Sequence, residues 1–233
     1  MVRKFRVGRV IKRLILLFFV ITFLQVLLLR FINPWTSSKM LSNKVDLIFS
    51  DTKDKQIHFN WKDYNEISPY MPLAVIAAED QKFPEHYGFD FSSIEKAMEQ
   101  NKNRKNKRGA STITQQVAKN LFLWQGKSYM RKGLEAYYTL LIELLWSKQR
   151  IVEVYLNIAQ MGNNTYGVEA ASQIYLKKSA NNLTKNNAAL IAAVLPNPIK
   201  FQIKKPSAYT VKRQIWILHQ MWQLGNVKFL EKL

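Results

Sequence analysis

Cysteine is absent from the 233-residue chain, which excludes disulfide scaffolds, thiolate metal sites and cysteine nucleophiles together. Histidine is nearly as scarce. His58, His86 and His219 are the only three, and no two have the spacing of a helical ligand pair, which speaks against a histidine-based zinc site. Acidic residues number 16 against 35 lysines and arginines, a formal net charge of +19. Chemistry therefore falls to carboxylates, hydroxyls, amines and amides. The apolar fraction of 48% and aromatic fraction of 12% suffice for a core and exclude disorder throughout. The length allows one domain plus an appendage.

Acids are missing altogether from the first thirteen residues, which carry Arg3, Lys4, Arg6, Arg9, Lys12 and Arg13. LILLFFVITFLQVLLL (14–29) follows, an apolar run interrupted only by Thr22 and Gln25. It lies near the lower limit for crossing a hydrocarbon core, and a snorkelling Arg30 with Phe31, Ile32 and Trp35 extends it. The expectation is a membrane helix at 14–32 behind a cytoplasmic basic segment at 1–13, because cations stay on the cytoplasmic side. A cleaved signal peptide is the competing reading, disfavoured by the length of the run and the lack of an A-x-A-like site after it. The remainder is then exported. Setting aside the six leading cations and Arg30 leaves 28 basic residues against 16 acidic ones, a net +12. That surplus suits anionic headgroups or an anionic substrate presented at a membrane surface.

Residues 33–70 hold Asn33-Pro34, Ser37-Ser38 and Ser68-Pro69 without a sustained helical period, so they read as a linker with a short hairpin around 56–61. From Pro72 onward, apolar residues recur at helical spacing, and the domain proper occupies 71–233. Leu73, Val75, Ile76, Ala77 and Ala78 predict a buried helix running directly into Glu79-Asp80, and Ile94, Ala97 and Met98 mark a second. The stretch QNKNRKNKR (100–108) has no apolar residue and is expected to be a mobile loop. Thr112 with Gln115 has capping-box spacing for a helix to about residue 123. Further helices are expected at 129–146, from 148 to before Gly162, at 168–176, between a Thr184 cap and Pro196, and at 207–224. The fold class is mainly α.

Glu79 follows an apolar helix with no polar transition, which would put its carboxylate where core meets cleft and favour a raised pKa and a general acid or base role. A solvated helix end has the same sequence. What favours the cleft is the crowding of Asp80, Phe83, His86 and Gly88-Phe89-Asp90 into the following dozen residues. Arg131 and Lys132 stand at a helix start, where cations oppose the macrodipole, and Arg131 before Glu135 is the weaker order for an i,i+4 pair. A bound anion would make sense of this arrangement; a solvated basic turn is the alternative. Lys119, with Gln116 one turn earlier, could face the same spot. Two carboxylates suit chemistry at a sugar anomeric centre, and the cations suit a phosphate leaving group, for which plain glycoside hydrolysis has no use.

EDQKFPEHYGFD (79–90), RGASTITQQVAKNLF (108–122), RKGLEAYYTLLIE (131–143), RIVEVYLNIAQMG with YGVEAA (150–171) and AALIAAVLPNP (188–198) resemble, in order, the five motif blocks of the peptidoglycan glycosyltransferases of family 51. The resemblance covers about 69–206 and implies a lysozyme-like, two-lobed helical domain whose membrane-proximal lobe dips into the bilayer. With one short anchor and no stretch after residue 233 for a transpeptidase, the monofunctional form is expected.

The implied reaction polymerises lipid II into β-1,4-linked glycan strands by inverting transfer, releasing undecaprenyl diphosphate. Lipid II, the lipid-linked glycan chain and the membrane are the implied partners, with cell-wall synthesis or division proteins a further class and nucleic acid excluded. The location implied is the inner membrane, with the catalytic domain periplasmic. By position, Glu79 corresponds to the general base, and Asp80, Phe83 and His86 to residues shaping the cleft. Thr112, Gln116 and Lys119 correspond to residues holding the donor's sugar and diphosphate. Arg131 and Lys132 correspond to the basic pair, and Glu135 to the second carboxylate, with a role in positioning or in phosphate or metal contacts. No cofactor is required by the pattern, and a divalent cation (Mg or Mn) with the donor diphosphate stays open. Two departures are visible: Ala110 replaces a frequent Gly, and Lys127 stands where Arg is common. A lytic enzyme is the first rival, one that would not require the cations at Lys119, Arg131 and Lys132. A non-catalytic scaffold or nucleic-acid binder is the second, for which acids at special positions have no use.

Overall fold

The computed structural model describes residues 2–52, 54–102, 109–126 and 128–233, with side chains from residue 7 onward. The chain divides into two compact units, Met1–Pro34 and Trp35–Leu233. The first is one helix, α1 (Val2–Leu29). Its stretch Val7–Leu29 is long and apolar enough to cross a membrane, on the order of 34 Å at the α-helical rise. The polar Thr22 is accommodated because its hydroxyl donates to the Phe18 carbonyl at 2.8 Å. The helix ends at Leu29, with Phe31 and Ile32 just beyond it.

The second unit is mainly α. Its helices are α2 (Ser38–Ile48), α3 (Tyr70–Glu79), α4 (Phe91–Asn101), α5 (Ile113–Phe122), α6 (Tyr129–Leu145), α7 (Lys148–Ile158), α8 (Val168–Ala171), α9 (Lys185–Val194) and α10 (Ala208–Gln223). Three short strands, β1 (His58–Phe59), β2 (Gln160–Gly162) and β3 (Thr165–Tyr166), form one sheet in the order β1-β3-β2. Starts follow local chemistry. Ser37, Thr112, Ser128, Ser147, Thr184 and Ser207 each accept a backbone N–H of the helix they open, a contribution of about 1 kcal/mol apiece. At Thr112 the Gln115 side chain returns to the Thr112 N–H, completing the expected capping box.

The stretch 33–70 is not the expected linker. It contains α2, and β1 pairs in parallel with β3, His58 with Thr165 and Phe59 with Tyr166, in place of a local hairpin around 56–61. The hairpin is β2–β3, antiparallel, turning at Asn163-Asn164 with Asn164 at φ 51°. At the start of the loop expected at 100–108, α4 still carries Gln100 and Asn101; residues 103–108 lie outside the described residues.

One core places the site. In α3, Met71, Leu73, Ala74, Val75, Ile76 and Ala77 are all fully buried, because α9 and α10 pack on it while α5 packs on α6 and α7. The alanines of α9 at 188, 189, 192 and 193 are also fully buried, and their small size permits close helix approach. Gly167 joins β3 to α8 at φ 80°, ψ 156°, a region essentially reserved for glycine. A Cβ there would meet the Asn157 backbone oxygen at 2.5 Å.

Gly167→Ala is therefore expected to lower stability by about 3 kcal/mol or more. Gly133→Ala, in an exposed turn of α6 with open space around it, is expected to raise stability by about 0.5–1 kcal/mol. Thermal unfolding of the full chain in detergent, followed by circular dichroism, reads both signs.

Candidate active site

Glu79 is the last residue of α3. The helix supplies no other acid and is buried along its length, so its end delivers a carboxylate straight out of the core. The Gln116 side-chain amide on α5 donates to Glu79 Oε2 at 2.9 Å, and the Tyr155 hydroxyl on α7 donates to Gln116 Oε1 at 3.3 Å. Tyr155 fixes which way the amide points. Burial pushes the tyrosine well above its ordinary pKa, with Glu79 and Asp80 adding to the effect, so it remains a donor. Burial likewise raises the Glu79 pKa above 4.5, Asp80 adding to it, while the Gln116 bond, Arg213 and Lys119 pull the other way.

Asp80 has both oxygens occupied. His86 Nε2 donates to Oδ1 at 2.9 Å and the Ile113 backbone N–H donates to Oδ2 at 3.0 Å. The Asp80–His86 contact ties the loop after α3 to itself, and the Ile113 contact ties that loop to the start of α5. Phe83 is fully buried, with Lys148 Nζ 4.5 Å from its ring centroid. Thr112 is buried and donates to the Gly88 carbonyl at 2.7 Å while capping α5. These residues hold the loop and helix start on which Glu79 and Gln116 depend, and Asp80 and Thr112 also line the cavity that contains Glu79.

Beneath them lies a buried ion pair that the sequence does not signal. Lys148 Nζ meets Glu143 Oε2 at 2.8 Å and donates to the His86 carbonyl. The Thr114 hydroxyl donates to the same carboxylate. Loop, α5, α6 and α7 converge there.

The cations gather on the other side of Gln116. Lys119 and Arg131 line a cavity of about 350 Å³ with Lys39, Gln116, Trp124 and Tyr155. Glu135, almost wholly buried, accepts from Arg131 Nη1 at 3.3 Å and from Lys132 Nζ. It resolves the awkward placement of two cations at the start of α6. Lys132 is about half exposed and is not among the residues lining this cavity. Burial lowers the Lys119 pKa; Arg131, Lys39 and Lys132 lower it further, and Glu135 opposes them.

A second cavity of about 380 Å³ is lined by Glu79, Asp80, Gln81, Lys82, Ser93 and Trp216 among others. Gln116 belongs to the wall of the cationic cavity and bonds Glu79 in the other, so one amide separates carboxylate from cations. Several participants escaped the sequence. Lys39 sits on α2, inside the stretch read as linker. Tyr155 lies within the fourth motif block without standing out. Arg213 and Trp216 belong to α10, whose signal was amphipathicity alone. Arg213 Nη2 donates to the Ala78 carbonyl at 2.9 Å, placing a cation at the C-terminal end of α3, where the helix dipole favours one. Lys127 lies outside the described residues.

The family profile described as Transglycosylase matches residues 46–222. This chain belongs to the transglycosylase family. Proteins named biosynthetic peptidoglycan transglycosylase from Escherichia coli strain K12, O139:H28 strain E24377A / ETEC and O9:H4 strain HS are each 60% identical to it over 176 residues, covering 75% of this chain and 73% of the relative. In this family member the Glu143–Lys148 pair is largely buried, with side chains 5% and 15% exposed. Lys148→Met leaves Glu143 buried without its cation and is expected to cost about 3–5 kcal/mol, whereas Glu143→Leu with Lys148→Met should recover most of that loss. Unfolding midpoints of the two variants decide it.

Proposed function

We infer that this transglycosylase polymerises lipid II into β-1,4-linked glycan strands, transferring the growing lipid-linked chain onto each new acceptor with release of undecaprenyl diphosphate. The observation that carries the reading is the Gln116 bridge, which stands between a raised-pKa carboxylate on one side and a cationic cavity on the other.

The acceptor sugar lies in the Glu79 cavity. Glu79, ionised, takes the proton from its 4-hydroxyl as the oxygen attacks the donor's anomeric carbon. The new O4–C1 bond forms as the bond from C1 to the diphosphate oxygen breaks, with inversion from α to β, and the electron pair leaves with the diphosphate. Burial makes Glu79 a stronger base than an exposed carboxylate, and Gln116 keeps it directed. Lys119 and Arg131, with Lys39, receive the developing negative charge in a partly buried cavity where screening by water is weak. The proton on Glu79 returns to solvent through its open cavity. Asp80, Phe83, His86 and Thr112 act by holding the loop and the start of α5. Lys132 and Glu135 position Arg131.

The residues present do not fit a resident divalent cation. Glu135 is the carboxylate adjoining the cationic cavity, and both its oxygens are held by Arg131 and Lys132. Among the described residues no three acidic or histidine side chains converge as ligands. In this reading Lys119 and Arg131 are the protein's own charges facing the diphosphate. α1 fits a single-pass anchor, and the basic residues along its first half support a cytoplasmic N-terminus, with the catalytic unit on the periplasmic face of the inner membrane.

Glu79→Gln is expected to lower polymer formation from labelled lipid II, read on a gel, by about 10³-fold; near-normal yield removes the base assignment. The same change separates catalysis from stability. Because folding raises the Glu79 pKa, its ionisation destabilises the folded state. That penalty is absent below the unfolded value and complete above the folded one. The melting temperature of Glu79→Gln should thus gain on the parent's as pH rises from 4.5 through the raised pKa. The activity of the parent should fall on the acid side through that raised pKa, and Arg213→Gln should move this limb to higher pH, since Arg213 holds the pKa down.

A further inference from the structure

The Glu79 cavity has two unlike walls. On α4, Ser93, Lys96 and Gln100 recur at i, i+3 and i+7 and present polar groups; on α10, Trp216 and Gln220 present an indole and an amide. With Arg213 they occupy one face of α10, at i, i+3 and i+7. That face is fastened to the end of α3 at two points. Arg213 donates to the Ala78 carbonyl at 2.9 Å, and the Gln81 amide donates to Gln220 Oε1 at 2.8 Å and to the Ala77 carbonyl at 3.1 Å. Between these anchors, the Arg213 guanidinium carbon stands 4.3 Å from the Trp216 ring centroid, which holds the indole in place. Trp216 is nonetheless 37% exposed. A large aromatic left open to a cavity on a helix that buries Ile217 and Met221 beside it is poorly explained as core packing.

We propose that Trp216 is a specificity-determining residue of the acceptor subsite, a platform against which the acceptor's terminal amino sugar lays its apolar face while the α4 wall takes its polar edge. A pyranose with equatorial substituents has such a division: axial C–H bonds on its faces, hydroxyl and acetamido groups around its rim. Packing a face on the indole presents the rim to Ser93 and Lys96 and fixes the orientation of the ring, so that one hydroxyl is directed at Glu79. The cationic cavity offers the donor charge contacts; an uncharged sugar needs contact area, which an indole supplies at low entropic cost. The proposal rests on the transferase reading above, in which the acceptor occupies the Glu79 cavity.

The test uses the full chain in detergent with two substrates that cannot exchange roles. Lipid II whose terminal 4-hydroxyl is blocked can donate and cannot accept. The diphosphate-free disaccharide GlcNAc-MurNAc can accept and cannot donate. Product is read by mass. Trp216→Ala and Trp216→Leu are expected to raise the KM for the disaccharide about tenfold, with the donor KM held within about twofold, and Trp216→Phe to recover most of the loss because a ring face returns. The proposal is overturned if Leu performs as well as Trp, if the donor KM moves in parallel, or if the acceptor KM is unchanged. Loss of helical circular dichroism in both the Ala and Leu variants would assign the ring to packing and overturn it as well. Turnover of this substrate pair by Glu79→Gln removes the transferase reading of the site; an unchanged acceptor KM at Trp216 with Glu79→Gln inactive removes this inference alone.

Discussion

An ionisable carboxylate at the end of a helix buried on all sides is the constraint from which the rest of the site follows. α3 cannot solvate Glu79 from its own side chains, because residues 71–77 are wholly inside. The charge has to be supported from neighbours. Gln116 gives one hydrogen bond, and the charges of Arg213 and Lys119 favour the ionised form as well. Burial nevertheless outweighs this support and leaves the carboxylate with a raised pKa, ionisable but still proton-hungry, as the proposed general base near neutral pH requires.

The same logic, with its sign reversed, governs the cationic cavity. Lys119 and Arg131 close together repel, and burial raises the cost. Glu135 offsets part of this by binding Arg131 and Lys132 from within, which makes the cavity tenable before any substrate arrives. The offset is incomplete: burial, and behind it Arg131, Lys39 and Lys132, still hold the Lys119 pKa down. On the proposed reading a diphosphate entering this space would meet cations short of compensating charge, so that binding and leaving-group stabilisation draw on one source, with little reorganisation as charge develops.

Much of this was legible where the physics is local. Caps at Thr112, Ser147, Thr184 and Ser207 announce themselves by residue type, and a continuous apolar run before Glu79 announces a buried helix with a charged end. Legibility fails where partners are far apart in the chain. β1 and β3 are two residues long and pair across about a hundred positions, so neither alternation nor a turn marks them. α2 is short, and the serines that suggested a linker include its own N-cap, Ser37. Asp80 and Thr112 stand out in the sequence as polar residues near Glu79, but which backbone groups their oxygens meet depends on where Ile113 and Gly88 arrive. Arg213 and Trp216 look like members of an ordinary amphipathic helix until α10 is laid across the end of α3.

The imbalance of charge also acquires a physical sense from the fold. Acids are the minority, and several of them are used up inside: Asp80 on Ile113 and His86, Glu135 on the α6 cations, Glu143 on Lys148, and Glu169 on the Ala180 N–H at 2.7 Å and Gln173 at 3.0 Å. Lysines with long solvated stems remain outside. The surplus of positive charge is carried at the surface and sets up a positive external field. At physiological ionic strength that field decays over about 8 Å, too short to act across bulk solvent but sufficient at the depth of lipid headgroups. A substrate whose diphosphate lies at that depth meets positive charge twice, first as a diffuse surface and then as Lys119 and Arg131 in fixed positions.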